Sequence, residues 1–151
     1  MMIFREIDKS NYWDCVMLTT DDSQESFVAE NKQSLVETTY EDGLYTLGIY
    51  YEDTMGGFVL YDFDEAFPGW FMSRFMTGKQ FQGRGYGKQT VVAFFDYFKK
   101  KHNADKLYIS VSLENIVAYK MYTSLGFKEL KEVEYTFCDK HFREMQMVKE
   151  L

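Results

Sequence analysis

Apolar and charged residues alternate along Ile3–Asp8, which predicts a first β-strand. Asn11–Leu18 follows as a short helix with Ser10 or Asn11 as its cap. Glu25–Tyr40 sets Phe27, Val28, Leu35 and Val36 among polar residues, the pattern of a second helix entered through a loop at Asp21–Gln24. Leu44–Tyr51 and Gly57–Phe63 are aromatic-rich, β-favouring runs joined by EDTMGG, and they predict a hairpin. A loop at Asp62–Gly69, holding the only proline (Pro68), leads to a strand at Trp70–Met76. Val91, Val92, Phe94, Phe95 and Phe98 then recur at helical spacing within Lys88–His102, which ends in the basic run KKKH suited to a helix C-terminus. Leu107–Val111 is a short apolar strand. Asn115–Leu125 is helical and stops at Gly126, a natural residue just past a helix end. Phe127–Phe137 and Phe142–Val148 alternate as a closing antiparallel pair across Cys138–His141. The order β–α–α–β–β–β–α–β–α–β–β predicts an α/β (α+β) chain: one domain over residues 1–151, with a mixed, mostly antiparallel sheet flanked by helices.

Composition narrows the class. A 151-residue chain with 46% hydrophobic and 19% aromatic residues can build a packed core, so disorder is excluded. The net charge of -7 argues against nucleic-acid binding, which needs cations to neutralise phosphates, and is compatible with cationic small molecules. Cys15 and Cys138 lack metal-ligand spacing and read as reduced, buried or inert thiols. No apolar run approaches the ~20 residues that span a bilayer, and the charged start does not read as a signal peptide. A cytoplasmic protein that binds neither membrane nor metal is the expectation. His102 and His141 lack partner spacing and read as surface residues.

The stretch QFQGRGYGKQ, residues 80–89, carries glycines at 83, 85 and 87 just before the long helix. The dinucleotide fingerprint needs G-x-G-x-x-G, and its acid belongs at the end of the next strand, whereas Asp105 precedes Leu107–Val111. The Walker loop fails too, because Gln82 stands at its first glycine and Gln89 at its Ser/Thr. What remains is a strand–QGRGYG–helix unit whose backbone N–H groups can converge on a pyrophosphate at a helix start.

Gln82-x-x-Gly85-x-Gly87 resembles the Q/R-x-x-G-x-G/A signature of the GCN5-related N-acetyltransferases, the GNAT superfamily. Asn115, Ala118, Tyr122, Gly126 and Phe127 are similar to that family's N-x-x-A-x-x-x-Y-x-x-x-G-F ending. LGIYYED, the RFM–QGRGYGK run and the closing MVKEL further resemble bacterial spermine/spermidine N-acetyltransferases. The resemblance implies a GNAT domain that moves acetyl from acetyl-CoA to a primary amine, a small polyamine being the leading acceptor. Protein N-terminal or lysine acetylation, aminoglycoside acetylation and a CoA-binding sensor without turnover stay open beside it. A homodimer is a further possibility that the resemblance raises.

Under this resemblance the backbone of Gly83, Arg84, Gly85, Tyr86, Gly87 and Lys88 anchors the pyrophosphate behind Gln82, with charge from Arg84 and Lys88. Phe75, Met76 and Thr77 offer a strand edge to the pantetheine amides and an N–H to the thioester carbonyl. Tyr122 is the expected general acid for the departing thiolate, and Asn115, Tyr119 and Lys120 are expected cofactor contacts. The base that deprotonates the amine is unassigned among Asp22, Glu25, Glu41, Asp42, Asp62, Asp64 and Glu65, because the central strand carries Ser73 and Arg74 where some relatives have an acid. Asp62–Glu65, with its interleaved Phe63, reads equally as an exposed loop or as a polyamine cradle.

Overall fold

A computed structural model describes residues 2–20 and 31–151. Seven strands, β1 (Met2–Glu6), β2 (Leu44–Tyr51), β3 (Thr54–Asp64), β4 (Gly69–Thr77), β5 (Lys106–Ser112), β6 (Lys128–Phe137) and β7 (Lys140–Glu150), form one sheet. The helices are α1 (Tyr12–Met17), α2 (Asn31–Tyr40), α3 (Tyr86–His102) and α4 (Ile116–Ser124). Sheet order is β1-β2-β3-β4-β5-β7-β6, antiparallel except for the parallel β4–β5 pair. Among the described residues no helix is long and apolar enough to cross a membrane.

The alternation of side chains across the strands divides the core in two. On one face Leu47, Ile49, Val59, Tyr61, Leu107, Ile109, Val111 and Met147 pack against Val91, Phe94, Phe95 and Phe98 of α3 and Tyr122 of α4. On the other, Tyr50, Phe58, Leu60 and Met76 pack against Cys15 of α1, with Leu35 of α2 at the margin. Helix α2 is largely polar and gains its hold from Leu35 and from Arg74 of β4. That guanidinium donates to both Glu37 carboxylate oxygens at 2.6 and 3.0 Å and to Ser34 Oγ at 3.0 Å.

Two departures from antiparallel regularity shape the centre of the sheet. In the β3–β4 ladder Leu60 faces Arg74 and Tyr61 faces Met72, so Ser73 is an extra residue, a β-bulge. The β4–β5 ladder has a single register pair, Phe71↔Tyr108, while β5 pairs with β7 along its whole length. Past Met72, β4 therefore keeps a ladder partner on one edge only among the described residues. The two central strands part toward their C-terminal ends.

Several boundaries differ from the sequence reading for local reasons. The β2–β3 connection needs only Glu52 and Asp53, because Glu52 takes φ 56 and closes a tight turn, leaving much of EDTMGG inside β3. β3 likewise continues to Asp64, so the expected loop there shortens. Cys138 and Asp139, both at positive φ, make the two-residue turn between β6 and β7. Cys138 is exposed on that turn, whereas burial pushes the Cys15 thiol up to about 12 and keeps it protonated. Asn11 stands at the α1 cap, yet its oxygen accepts from Asp8 N–H at 2.8 Å instead of capping the helix. The second predicted helix is described from Asn31 onward, and Phe27, Val28 and the Asp21–Gln24 loop lie outside the described residues. His102 is no surface residue: its Nε2 meets the Tyr61 hydroxyl at 2.9 Å and its ring lies 4.3 Å from Trp70. That partial burial lowers its pKa.

Candidate active site

The site is built where β4 and β5 part, because strand backbone there faces no ladder partner and helices α3 and α4 start beside it. At the end of β4, Gln82 Nε2 donates to the Thr77 carbonyl at 2.9 Å, folding the glycine loop back onto the strand. A single 3-10 turn at Lys79–Phe81 spans the interval. Two backbone bonds clamp its start, Gly78 N–H to the Gly56 carbonyl at 2.7 Å and Lys79 N–H to the Thr19 carbonyl at 2.8 Å. Tyr86, the first residue of α3, stacks on Tyr51 with ring centres 4.7 Å apart, and Phe81 packs on Tyr51 at 4.9 Å. The sequence reading used only the Tyr86 backbone. The structure gives its ring a job, anchoring the loop to β2.

Gly83 and Gly85 take φ 75 and 76, a left-handed conformation that other residues adopt at a cost. With the chain so turned, no backbone carbonyl among the described residues accepts from the N–H groups of residues 83–88, while Gln89 N–H returns to the Gly85 carbonyl at 3.2 Å. These are the orphan donors of a helix start. Arg84 and Lys88 are exposed beside them and form no ion pair among the described residues.

Thr77 carries a second unmet group. Its Oγ1 is buried with no hydrogen-bond partner among the described residues. The nearby Tyr51 hydroxyl bonds Thr90 Oγ1 at 2.7 Å, and burial raises its pKa against the lowering effect of Thr90 and then of Thr77. At Gly87, a Cβ would sit 3.9 Å from both Thr77 Oγ1 and Met121 Sδ. The gap between the β4 end and α4 thus admits one more carbon without a clash. The neighbouring β4 side chains split between the faces: Phe75 packs toward α3 and Met76 belongs to the α1 core, where its Sδ accepts from Asn31 Nδ2 at 3.8 Å.

Helix α4 opens at Asn115, whose Oδ1 accepts from Ala118 N–H at 3.2 Å, so that side chain caps the helix and keeps only its amide nitrogen for other contacts. Tyr119 gives its hydroxyl to Glu129, which holds its pKa up and commits the group, and Lys120 is exposed. Tyr122 is 7% exposed and lies edge-on to Phe127. Burial alone raises its phenol well above the ordinary tyrosine range, so it is fully protonated at neutral pH. Such a group donates a hydrogen bond readily but gives up its proton only to a base whose own charge is poorly solvated.

The opposite sheet face holds residues that sequence reasoning passed over. Glu144 of β7 is half-buried, accepts from the Tyr135 hydroxyl at 3.1 Å, and has its pKa raised by burial. β5, with Ser110 and Ser112 turned to this face, separates β7 from β4, whose Arg74 holds Glu37. Of the acids weighed as bases, Asp62 accepts from Ser73 Oγ at 2.5 Å and Asp64 from Ala66 N–H at 2.9 Å. Glu41, Asp42 and Glu65 are exposed, and Asp22 and Glu25 lie outside the described residues. In the Asp62–Glu65 segment, Phe63 packs on Trp70.

The sequence profile of the Acetyltransferase (GNAT) family matches residues 9–127. The chain belongs to the GNAT acetyltransferases. It is 27% identical over 154 aligned residues to the spermine/spermidine N(1)-acetyltransferase of Bacillus subtilis strain 168, covering 90% of this chain and 97% of that one. A probable spermine N(1)-acetyltransferase of Bacillus subtilis subsp. natto is 28% identical over the same shares. The crystal structure of spermidine N-acetyltransferase from Vibrio cholerae, in complex with CoA and spermine, superposes with a TM-score of 0.77. That match covers 99% of this chain and 95% of the other at 14% identity, a likeness of fold. The unmet Thr77 hydroxyl, the orphan N–H groups of residues 83–88 and the open β4 edge fit coenzyme A, which brings amides, a pyrophosphate and a thioester.

Proposed function

We propose that this GNAT acetyltransferase moves acetyl from acetyl-CoA to a primary amine of a polyamine such as spermine or spermidine, by direct attack and without a covalent enzyme intermediate. The alignment of two spermine acetyltransferases along 90% of the chain carries the polyamine assignment. A net charge of -7 and the acids Glu37 and Glu144 on the α2 side of the sheet support it, since a polyamine arrives as a polycation.

The geometry supports the roles that this reading assigns. Backbone N–H groups of Gly83, Arg84, Gly85, Tyr86, Gly87 and Lys88 hold the pyrophosphate, with the Arg84 and Lys88 charges beside them. Gln82 positions the loop by holding the Thr77 carbonyl. The Phe75–Thr77 edge pairs with pantetheine amides, and the Thr77 hydroxyl gains a partner that it lacks among the described residues. Asn115 through its amide nitrogen, the Tyr119 ring and Lys120 border the same path. Tyr122 donates its hydroxyl proton to the departing sulfur; burial raises the pKa of the thiol as well as that of the phenol, which keeps the transfer feasible.

An acetyl-CoA turnover screen across polyamines, aminoglycosides, amino acids and peptides tests the reading. Turnover on spermine or spermidine well above the other amines is expected. Turnover confined to peptides or aminoglycosides would overturn the polyamine assignment.

A further inference from the structure

Acetylation of an alkylamine needs a proton acceptor, because a free ammonium has a pKa near ~10.4 and few molecules attack as the free base at neutral pH. The sheet face opposite Tyr122 supplies a group placed for this. Met145 and Met147 of β7 point into the α3–α4 core, so the strand's alternation turns Glu144 and Gln146 to the α2 face. Register sets Glu144 against Ser112, the last residue of β5, on the strand next to the one that parts from β4. The same face of β5 offers Ser110 and Ser112, because Leu107, Ile109 and Val111 take the core side. Next to Glu144, Gln146 keeps a buried Oε1 with no partner among the described residues, an acceptor ready for an N–H.

We infer that Glu144 takes the proton from the attacking amine and that Tyr135 is its positioning residue. The inference rests on the acetyltransferase reading above but not on which amine is used. The carboxylate is half-buried, held at 3.1 Å by the Tyr135 hydroxyl of β6, and stands on the strand that pairs with the serine-bearing end of β5. The titratable and charged groups around it are few. β6 contributes Tyr135 and Lys131, whose Nζ lies over the Phe67 ring at 6.0 Å; β4 contributes Arg74, already engaged by Glu37 of α2; β5 carries Ser110 and Ser112 beside Glu144, with Tyr108 and Lys106 farther along the same face, opposite Val148 and Glu150. Burial raises the Glu144 pKa and the Tyr135 bond lowers it in part, so the carboxylate is a stronger base than an exposed glutamate. The central strand itself offers Ser73 and Arg74 and no acid at this point, and the bulge at Ser73 turns Arg74 onto this face to pin Glu37.

The step balances. The ammonium gives one proton to Glu144, and the freed lone pair forms the N–C bond to the thioester carbonyl carbon. The C–S bond breaks with its electrons on sulfur. Of the two protons lost by nitrogen overall, one replaces the proton that Tyr122 gives to sulfur and the other leaves Glu144 for solvent.

The test is the pH profile of kcat/KM for wild type, Glu144→Gln and Tyr135→Phe, measured on whichever amine of the screen wild type acetylates best, with coenzyme A affinity and thermal stability followed in parallel. Wild type is expected to plateau between the pKa of Glu144 and that of the amine. Folded Glu144→Gln should keep its coenzyme A affinity and lose on the order of 10²-fold at neutral pH. Its rate should climb tenfold per pH unit until the amine deprotonates itself, converging on wild type there. Tyr135→Phe removes a bond to the carboxylate, so the acid limb should move to higher pH, a shift that a merely structural role would not produce. Wild-type turnover with an intact plateau in folded Glu144→Gln would overturn the inference. Turnover on a non-polyamine acceptor would overturn only the polyamine assignment and leave this test in force.

Discussion

Gly87→Ala separates folding from binding more cleanly than any other change in the loop. Gly87 is the second residue of α3 and its φ is ordinary, unlike those of Gly83 and Gly85. An added Cβ meets nothing closer than 3.9 Å, so the free protein accommodates it. Alanine also restricts the unfolded chain and favours helix, a gain of up to about 1 kcal/mol. For a chain of this size that raises Tm by about 2–4 °C. The same methyl lies between Thr77 and Met121, across the path assigned to the pantetheine arm. Overfilling a packed contact would cost about 1–3 kcal/mol, a roughly 5- to 140-fold loss of coenzyme A affinity, but the family signature admits alanine at this position, so the bound arm is expected to leave room for the methyl. Circular-dichroism melting and calorimetric titration with coenzyme A read the two effects separately. Stability should hold or rise while affinity is kept. A loss of affinity in that range would refute the room left beside the arm, and a destabilised variant would refute the claim that the gap is open.

Three further outcomes follow from the same geometry. Thr77→Val removes a buried hydroxyl that lacks a partner, so the free protein should be as stable as wild type or up to about 1 kcal/mol more so, with coenzyme A affinity lowered roughly 2- to 12-fold; equal affinity in a titration would remove the hydroxyl from the site. Tyr122→Phe should cut kcat on the order of 10²-fold and leave coenzyme A affinity nearly intact, and unchanged steady-state turnover would take Tyr122 out of the acid role. Arg74→Ala should destabilise by about 1–2 kcal/mol at pH 7, both partners being 24% exposed and the bonds charge-assisted. Arg74 holds the Glu37 pKa below its ordinary value, so this stabilisation is complete above that value and is lost as pH falls through the lowered one. Urea melts should show the gap between wild type and variant closing in acid, and a gap independent of pH would exclude the ion pair as its source.

The glycine loop and the Asn115–Tyr122 helix were legible because each is a contiguous run whose spacing alone sets its local shape. Gly83 and Gly85 do take positive φ, and Asn115 does stand at a helix start. What those runs did not reveal was how their side chains are employed. Tyr86 and Phe81 carry the loop on Tyr51 of β2, some thirty residues earlier in the chain, and no local pattern ties them together. Tyr119 reads as a cofactor contact in the sequence, and only the packing of β6 shows that its hydroxyl is held by Glu129. His102 looked exposed because the aromatic cage around it comes from β2, β3 and β4.

By itself the sequence determined the element order, the pyrophosphate-type loop and the tyrosine helix, since each depends on near neighbours and on backbone preferences that act locally. Only the tertiary structure decided what faces the attacking amine. Glu37, Arg74, Tyr135 and Glu144 lie on four separate elements and are gathered by strand order, by the Ser73 bulge and by the register of β7 against β5. A carboxylate becomes a useful base through burial and a single hydrogen bond, and both are properties of the packed sheet that no run of neighbouring residues contains.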